Sequence, residues 1–438
     1  MEAVANSVDD ALIDSLSFKL SNSASYITDR RSVTFWPSGS NIYKTSSGTK
    51  VIRFVLTNEN WLDPSTVRVM FNLVNNDADA AKMVRTLSGP HSFFRRVRIM
   101  CQGTLIEDFD YNRTHEMFEM MTSLHNRDND DIEGFGYRSD SVAPGLAHTT
   151  NDLPGIPGGS YHQVGMKLCS GILNQPKMLP LKYMPLTIEF ELVSNADDPV
   201  VTPGVNATFT TANTTNDWQI ENVQLKADIC SLDNSLQNNY DSHLLSGKSL
   251  PINFNTYITQ SQAISGQDVN VSLNRAITRL KSVFVTFDKT GNANPQDKDW
   301  LKFFHPMEAS AGYNKGYELE YQIQVGSKLF PEYPVRSVSE SFSQLKKCLG
   351  IIASNFHSVS FTPKQYRYDH FIIGVDTEKA IMAGFTGLNT RQGDLLSVKV
   401  KASDKSTLTA GLMPDTMFIV LHSDQIMEIS DAGVQVFD

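Results

Sequence analysis

Cysteine is scarce in this chain: four in 438 residues, at Cys101, Cys169, Cys230 and Cys348. None forms a C-x-x-C pair, and they read as reduced thiols of a reducing compartment. Long apolar runs are missing as well. None reaches the roughly 18 residues of a membrane span. The opening Met1-Glu2-Ala3-Val4 is acidic and lacks the basic-then-apolar order of a signal peptide, so secretion is not expected. Positive charge is short: 38 Lys and Arg against 48 Asp and Glu leave a net charge of −10. That argues against broad wrapping of nucleic acid, which needs Lys and Arg to displace phosphate counterions. The one small basic patch, Arg95, Arg96 and Arg98, is expected on the solvated face of a strand.

Catalytic motifs are absent too. The chain has no G-x-S-x-G, no G-x-x-x-x-G-K-[ST], no H-E-x-x-H and no Rossmann glycine fingerprint. His115-Glu116 is a lone pair on a helix, read as a satisfied histidine rather than a metal ligand. Asp128-Asn129-Asp130-Asp131 invites a calcium reading. It fails the EF-hand pattern, with Glu133 where a glycine is needed and Ser139 where a glutamate should close the loop. A solvated acidic loop is expected instead. Phe35-Trp36 and Phe93-Phe94 lack the interleaved basic residues of a nucleic-acid platform. The expectation is therefore no catalytic residue, no metal ligand and no cofactor.

What the chain does have is an internal repeat. Val97-Arg98-Ile99-Met100-Cys101, Leu105, Asp108-Phe109, Glu116, Phe118 and Met121 are echoed by Tyr321-Gln322-Ile323-Gln324-Val325, Leu329, Glu332-Tyr333, Glu340, Phe342 and Leu345. One offset of 224 residues, as from Asp108 to Glu332, aligns every pair. Each copy reads as a strand, a tight turn, a short strand and an amphipathic helix. A repeat this long points to two copies of one domain.

Most periodicity is two, the strand period. Val67 to Leu73, Leu186 to Leu192, Val223 to Ile229, Ile252 to Ile258 and Tyr317 to Val325 alternate apolar and polar residues. Leu396–Val400 and Met417–Leu421 supply the last strands. Such strands have one buried and one wet face, as in antiparallel sheets packed in a sandwich. Helices are expected at Thr114–Leu124, at Val338–Leu349 with a Ser337/Glu340 capping box, and at Leu232–Leu245 between the halves. Loops are expected at Asn126–Pro157, Ser194–Asp217 and Thr290–Asp299. The second of these, without apolar alternation, is expected to be exposed. The domain division reads as an arm at 1–45 with an amphipathic piece at Val8–Phe18, a first domain at 46–230, a helical connector at 231–250 and a second domain at 251–438.

Three segments carry a family resemblance. They are Phe54-Val55-Leu56-Thr57 with Trp61-Leu62-Asp63-Pro64 through Phe71; Phe94 through Ile99 with Gly103, Ile106-Glu107-Asp108 and Tyr111; and Leu421 through Ile426 with Gly433 through Val436. Together they resemble the double jelly-roll major capsid proteins of polinton-like and adintovirus-like DNA viruses, relatives of adenovirus hexon and virophage capsid proteins. The resemblance implies an all-β chain of two tandem eight-stranded antiparallel jelly rolls with a few short helices. It also implies a homotrimer forming a pseudo-hexagonal capsomer of an icosahedral shell. Its partners would be copies of itself, neighbouring capsomers and a penton or minor capsid protein, with no sequence-specific nucleic acid. Its place would be the virion, after synthesis in the host cytoplasm or nucleus. Whether an internal membrane underlies the shell stays open. The main rival is a two-domain β-sandwich carbohydrate-binding protein or glycan hydrolase; a non-viral scaffold or a minor capsid or spike protein is the second.

Overall fold

The computed structural model describes residues 26–46, 50–135, 155–204, 209–266, 268–288, 303–306, 319–352, 354, 357–368, 370–380, 386–391, 395–402 and 415–437. The expected Val8–Phe18 piece and the Thr290–Asp299 loop lie outside them.

The first half holds ten strands: β1 (Ile27–Phe35), β2 (Ile42–Tyr43), β3 (Val51–Leu56), β4 (Trp61–Asn75), β5 (Phe94–Cys101), β6 (Thr104–Asp110), β7 (Tyr161–Lys167), β8 (Leu179–Pro180), β9 (Leu186–Leu192) and β10 (Trp218–Leu232). The second holds β11 (Leu250–Ala263), β12 (Asp268–Leu273), β13 (Leu280–Asp288), β14 (Leu319–Val325), β15 (Lys328–Val335), β16 (Ile373–Asp376), β17 (Leu396–Ala402), β18 (Thr416–Ser430) and β19 (Gly433–Phe437). The sheets run β1-β10-β4-β7 and β3-β9-β5-β6 in the first half, and β11-β18-β13-β16 and β12-β17-β14-β15 in the second. With β2, β8 and β19 set aside as side additions, each half has eight strands. Counted from the first of the eight, both halves read 1-8-3-6 in one sheet and 2-7-4-5 in the other. That is one jelly-roll topology twice, with the named strands paired antiparallel.

Period-two burial builds these sheets. Along β9, Leu186, Ile188, Phe190 and Leu192 are buried while Thr187, Glu189 and Glu191 reach the wet face. β3 alternates in the same way. The repeat maps onto equivalent elements: β5, β6 and helix α1 (Tyr111–Met120) in one half, β14, β15 and a helix at Val338–Cys348 in the other. The two hairpin turns share a left-handed residue at the first position, although only the first half follows it with a second one, Gly103 at φ 88°. Gln102 is left-handed at φ 49°, and Gly326, 224 residues on, is left-handed at φ 57°.

Several expectations change in detail. The expected arm 1–45 carries a strand, since β1 pairs along its length with β10 from Ile27 to Phe35. The expected acidic loop starts as helix α2 (Leu124–Glu133), because Ser123 caps it by accepting the Asn126 N–H. The rest of that loop, 136–154, lies outside the described residues. The Ser194–Asp217 loop is not simply exposed. It buries Val200, Val201 and Phe209, its Val201 N–H donates to the Arg85 carbonyl at 2.8 Å, and the Arg85 guanidinium stands 5.5 Å from the Phe209 ring. A short helix, α3 (Gly171–Asn174), precedes β8. The connector helix α4 (Asn234–Leu245) is capped by Asp233, and its Tyr240 packs on Trp61 with centroids 4.9 Å apart. Helix α5 (Val338–Cys348) begins at the expected Ser337 cap, where Ser337 accepts the Glu340 N–H at 3.1 Å. Glu340 reaches back to the Arg336 N–H, one residue before the cap.

Candidate functional site

The joint between the two rolls is where this chain concentrates buried polar chemistry. Its basis is an exchange of apolar groups. Met117, Met120 and Met121, on and just after α1 of the first half, belong to the second roll's core. Ile252, Phe254, Met427 and Ile429, from β11 and β18, belong to the first roll's core. The repeat partner α5 behaves differently. It lies on its own roll, where Leu345 presses on Gly374 of β16.

Two polar clamps sit on this exchange. The Glu107 carboxylate, buried on β6, caps α3: it accepts the Gly171 N–H at 2.9 Å and the Ser170 hydroxyl. Thr256 of β11 also hydrogen-bonds to it, so the group bridges both rolls. Burial pushes the Glu107 carboxyl above the usual carboxylate range, and these hydrogen bonds oppose that shift. Beside it, the Thr259 hydroxyl oxygen accepts the Asp110 N–H at 2.8 Å. The second clamp is Arg113 of α1 on Asp288 of β13, at 2.6 Å with both side chains buried. The guanidinium lies against Phe303 and Phe418, 5.2 and 5.4 Å from their centroids.

The predicted basic patch is matched by acids. Arg96 makes a two-pronged contact to Asp108 at 2.5 Å, Arg98 lies 3.6 Å from the same group, and Arg95 lies 4.0 Å from Glu191. Such pairing leaves little net field for phosphate. All four cysteines are free thiols. Burial pushes the Cys101 thiol up to about 11 and that of Cys169 to about 12, which disfavours thiolate chemistry.

His115 is not a lone histidine. Its ring stacks on His91, from the short turn Pro90–Phe93, with centroids 4.2 Å apart and planes 7° apart. His91 Nε2 lies 2.8 Å from Glu116 Oε2, and the Ser88 hydroxyl donates to that same oxygen at 2.6 Å. Glu119 Oε2 lies 3.5 Å from His91 Nδ1 and 3.7 Å from His115 Nε2. Among the described residues, His91, His115 and Glu119 are the one group of three whose ligand atoms converge, all within 4.8 Å of one another. Sequence reasoning paired His115 with its neighbour Glu116. The informative spacing was His115 to Glu119, one helical turn, with His91 brought in from 24 residues upstream.

No protein-family model matches the chain, and no curated protein does. Solved structures do match. VP54 of PBCV-1, fitted into a cryo-EM reconstruction of the virophage Sputnik, superposes with a TM-score of 0.62 at 12% identity, over 96% of this chain and 99% of that one. The Faustovirus major capsid protein gives 0.61 at 9% identity, over 95% and 93%. The Sputnik virophage cryo-EM structure gives 0.59 at 9%, over 98% and 92%. At such identities the likeness is one of fold, and it extends over both rolls. The chain has the double jelly-roll fold.

Proposed function

We propose that the chain is a viral major capsid protein, a structural subunit rather than an enzyme. The observation that carries this reading is the joint. Two rolls of identical topology trade core residues and share buried clamps, so one chain is a stiff two-lobed block. Three such blocks around a threefold axis give six lobes, a near-hexagon that tiles a shell. Exposed apolar groups support self-association. β15 lies at a sheet edge and presents Leu329 and Tyr333, the latter 78% exposed, and Tyr161 at the start of edge strand β7 is 66% exposed. An unpaired sheet edge is a ready template for pairing with another chain.

The domain division that accompanies this reading assigns 27–232 to the first roll, 233–249 to the connector and 250–437 to the second. Its partners are further copies, then neighbouring capsomers and a penton or minor capsid protein; its place is the virion shell, after synthesis in the host cytoplasm or nucleus. The glycan-binding or glycan-hydrolysing reading draws no support from the structures that share the fold. Light scattering on purified protein tests the proposal. The expected particle has three times the 48.8 kDa chain mass, or is a larger shell built from such units. A stable monomer at every concentration, salt and pH would overturn it.

A further inference from the structure

We propose that His91, His115 and Glu119 form a binding site for a zinc-like divalent cation, which fastens helix α1 to the turn that leads into β5. The inference is independent of the capsid reading and rests on how each imidazole is held.

The tautomers follow from the partners. Glu116 already accepts the Ser88 hydroxyl and, as a carboxylate, can only accept from His91 Nε2. In its neutral form His91 then carries its proton on Nε2 and its lone pair on Nδ1. With the Tyr111 hydroxyl donating to the Lys167 carbonyl at 3.4 Å, its oxygen is placed to accept from a protonated His115 Nδ1, 3.1 Å away. His115 then carries its lone pair on Nε2. Those two lone-pair nitrogens are the atoms that face Glu119 Oε2. A carboxylate or hydroxyl on the far nitrogen of a ligating histidine is the usual outer support of a metal site.

The donor set and spacing fit. Two imidazole nitrogens and a carboxylate oxygen are a zinc-type combination, with a fourth position left for solvent or the second Glu119 oxygen. Bonds of about 2.0–2.2 Å put the ligand atoms of a tetrahedral site roughly 3.4 Å apart. Two of the present separations are 3.5 and 3.7 Å, and none exceeds 4.8 Å. Parallel rings cannot both hold one ion in their planes, so binding turns the imidazoles out of their stack. Charge fits as well. Glu116 and Glu119 bring two carboxyl groups into a buried space beside two imidazoles, and a dication offsets such acidic groups. The consequence reaches the joint, because the same helix carries Met117 and Met120 into the second roll's core.

The test uses the full chain, stripped with a chelator and titrated with zinc. Elemental analysis should find one zinc per chain after desalting, and the melting temperature should rise with the logarithm of free zinc. His115→Asn and Glu119→Gln should each weaken zinc binding by at least ~100-fold. Glu116→Gln, which alters the outer support of His91, should weaken it ~10–100-fold. Wild-type protein that retains no zinc and melts at the same temperature with and without it would overturn the proposal. So would variants that bind zinc as tightly as wild type. Either readout stands on the wild-type chain even where a variant fails to fold.

Discussion

Gly171 approaches Asn255 so closely that a β-carbon built on it would lie 1.3 Å from the Asn255 carbonyl oxygen. One residue opens α3 of the first roll and the other sits on β11 of the second. The contact is backbone against backbone, and no rotamer change can relieve it. Gly171→Ala should therefore force the joint apart and cost about 3 kcal/mol or more, the upper end of overpacking penalties. Gly165→Ala on β7 is the control, because its nearest neighbour would be Met70 at 3.7 Å. Urea unfolding of both variants checks the contrast, which requires the control to lose under ~1 kcal/mol.

The Arg113–Asp288 clamp makes a second prediction. Asp288→Asn removes the carboxylate and keeps the guanidinium between Phe303 and Phe418. Breaking one side of a buried pair costs about 3–5 kcal/mol. Denaturant midpoints should fall accordingly. A loss under ~1 kcal/mol would show the pair to be solvated and the joint looser than described.

The two hairpin turns give a third, with opposite signs in the two halves. Gln102 holds a left-handed backbone that favours glycine, whereas its counterpart Gly326 already is one. Gln102→Gly should stabilise the protein by up to ~1 kcal/mol, and Gly326→Ala should destabilise it by about the same amount. Thermal melts of the two variants should move in opposite directions. Movement in the same direction would mean that the left-handed backbone does not set stability at these two positions.

Two buried histidines set a pH dependence. Burial, with the Arg367 charge adding, holds His305 down at about 3. Burial and then the Lys281 charge hold His422 down at about 4. Both lie below the unfolded value of 6.5. Between the folded and unfolded values the unfolded chain binds protons that the native one refuses. The stability from these groups is full above pH 6.5 and is lost as pH falls towards 4 and 3, by up to ~1.4 kcal/mol per pH unit for each. Melting temperatures measured from pH 8 to 4 should decline below 6.5, and His422→Asn should flatten the decline. An unchanged slope would remove His422 from the account.

The strands that alternate were legible because each has one wet face: β9 shows it in Leu186, Ile188, Phe190 and Leu192. The strands that were missed have other causes. β1 is held by backbone pairing to β10 with most of its side chains exposed, so its pattern carries no period. β13 is buried on both faces after its first residues, because Phe118 of α1 stacks edge-on against Phe284 at 5.7 Å and closes the side that would otherwise be wet. The repeat told where α1 and α5 belong in the topology. It could not tell that one reaches across to the other roll, since that depends on the partner surface and not on the helix's own stripe. The histidine cluster stayed hidden because His91 enters it through the tertiary fold of a turn.

Electron microscopy of the purified protein tests the central claim most directly. Two stiffly joined rolls per chain, three chains to a capsomer, predict hexagonal particles with six lobes, alone or tiled into closed shells. Isolated two-lobed particles under every condition that keeps the protein folded would contradict it.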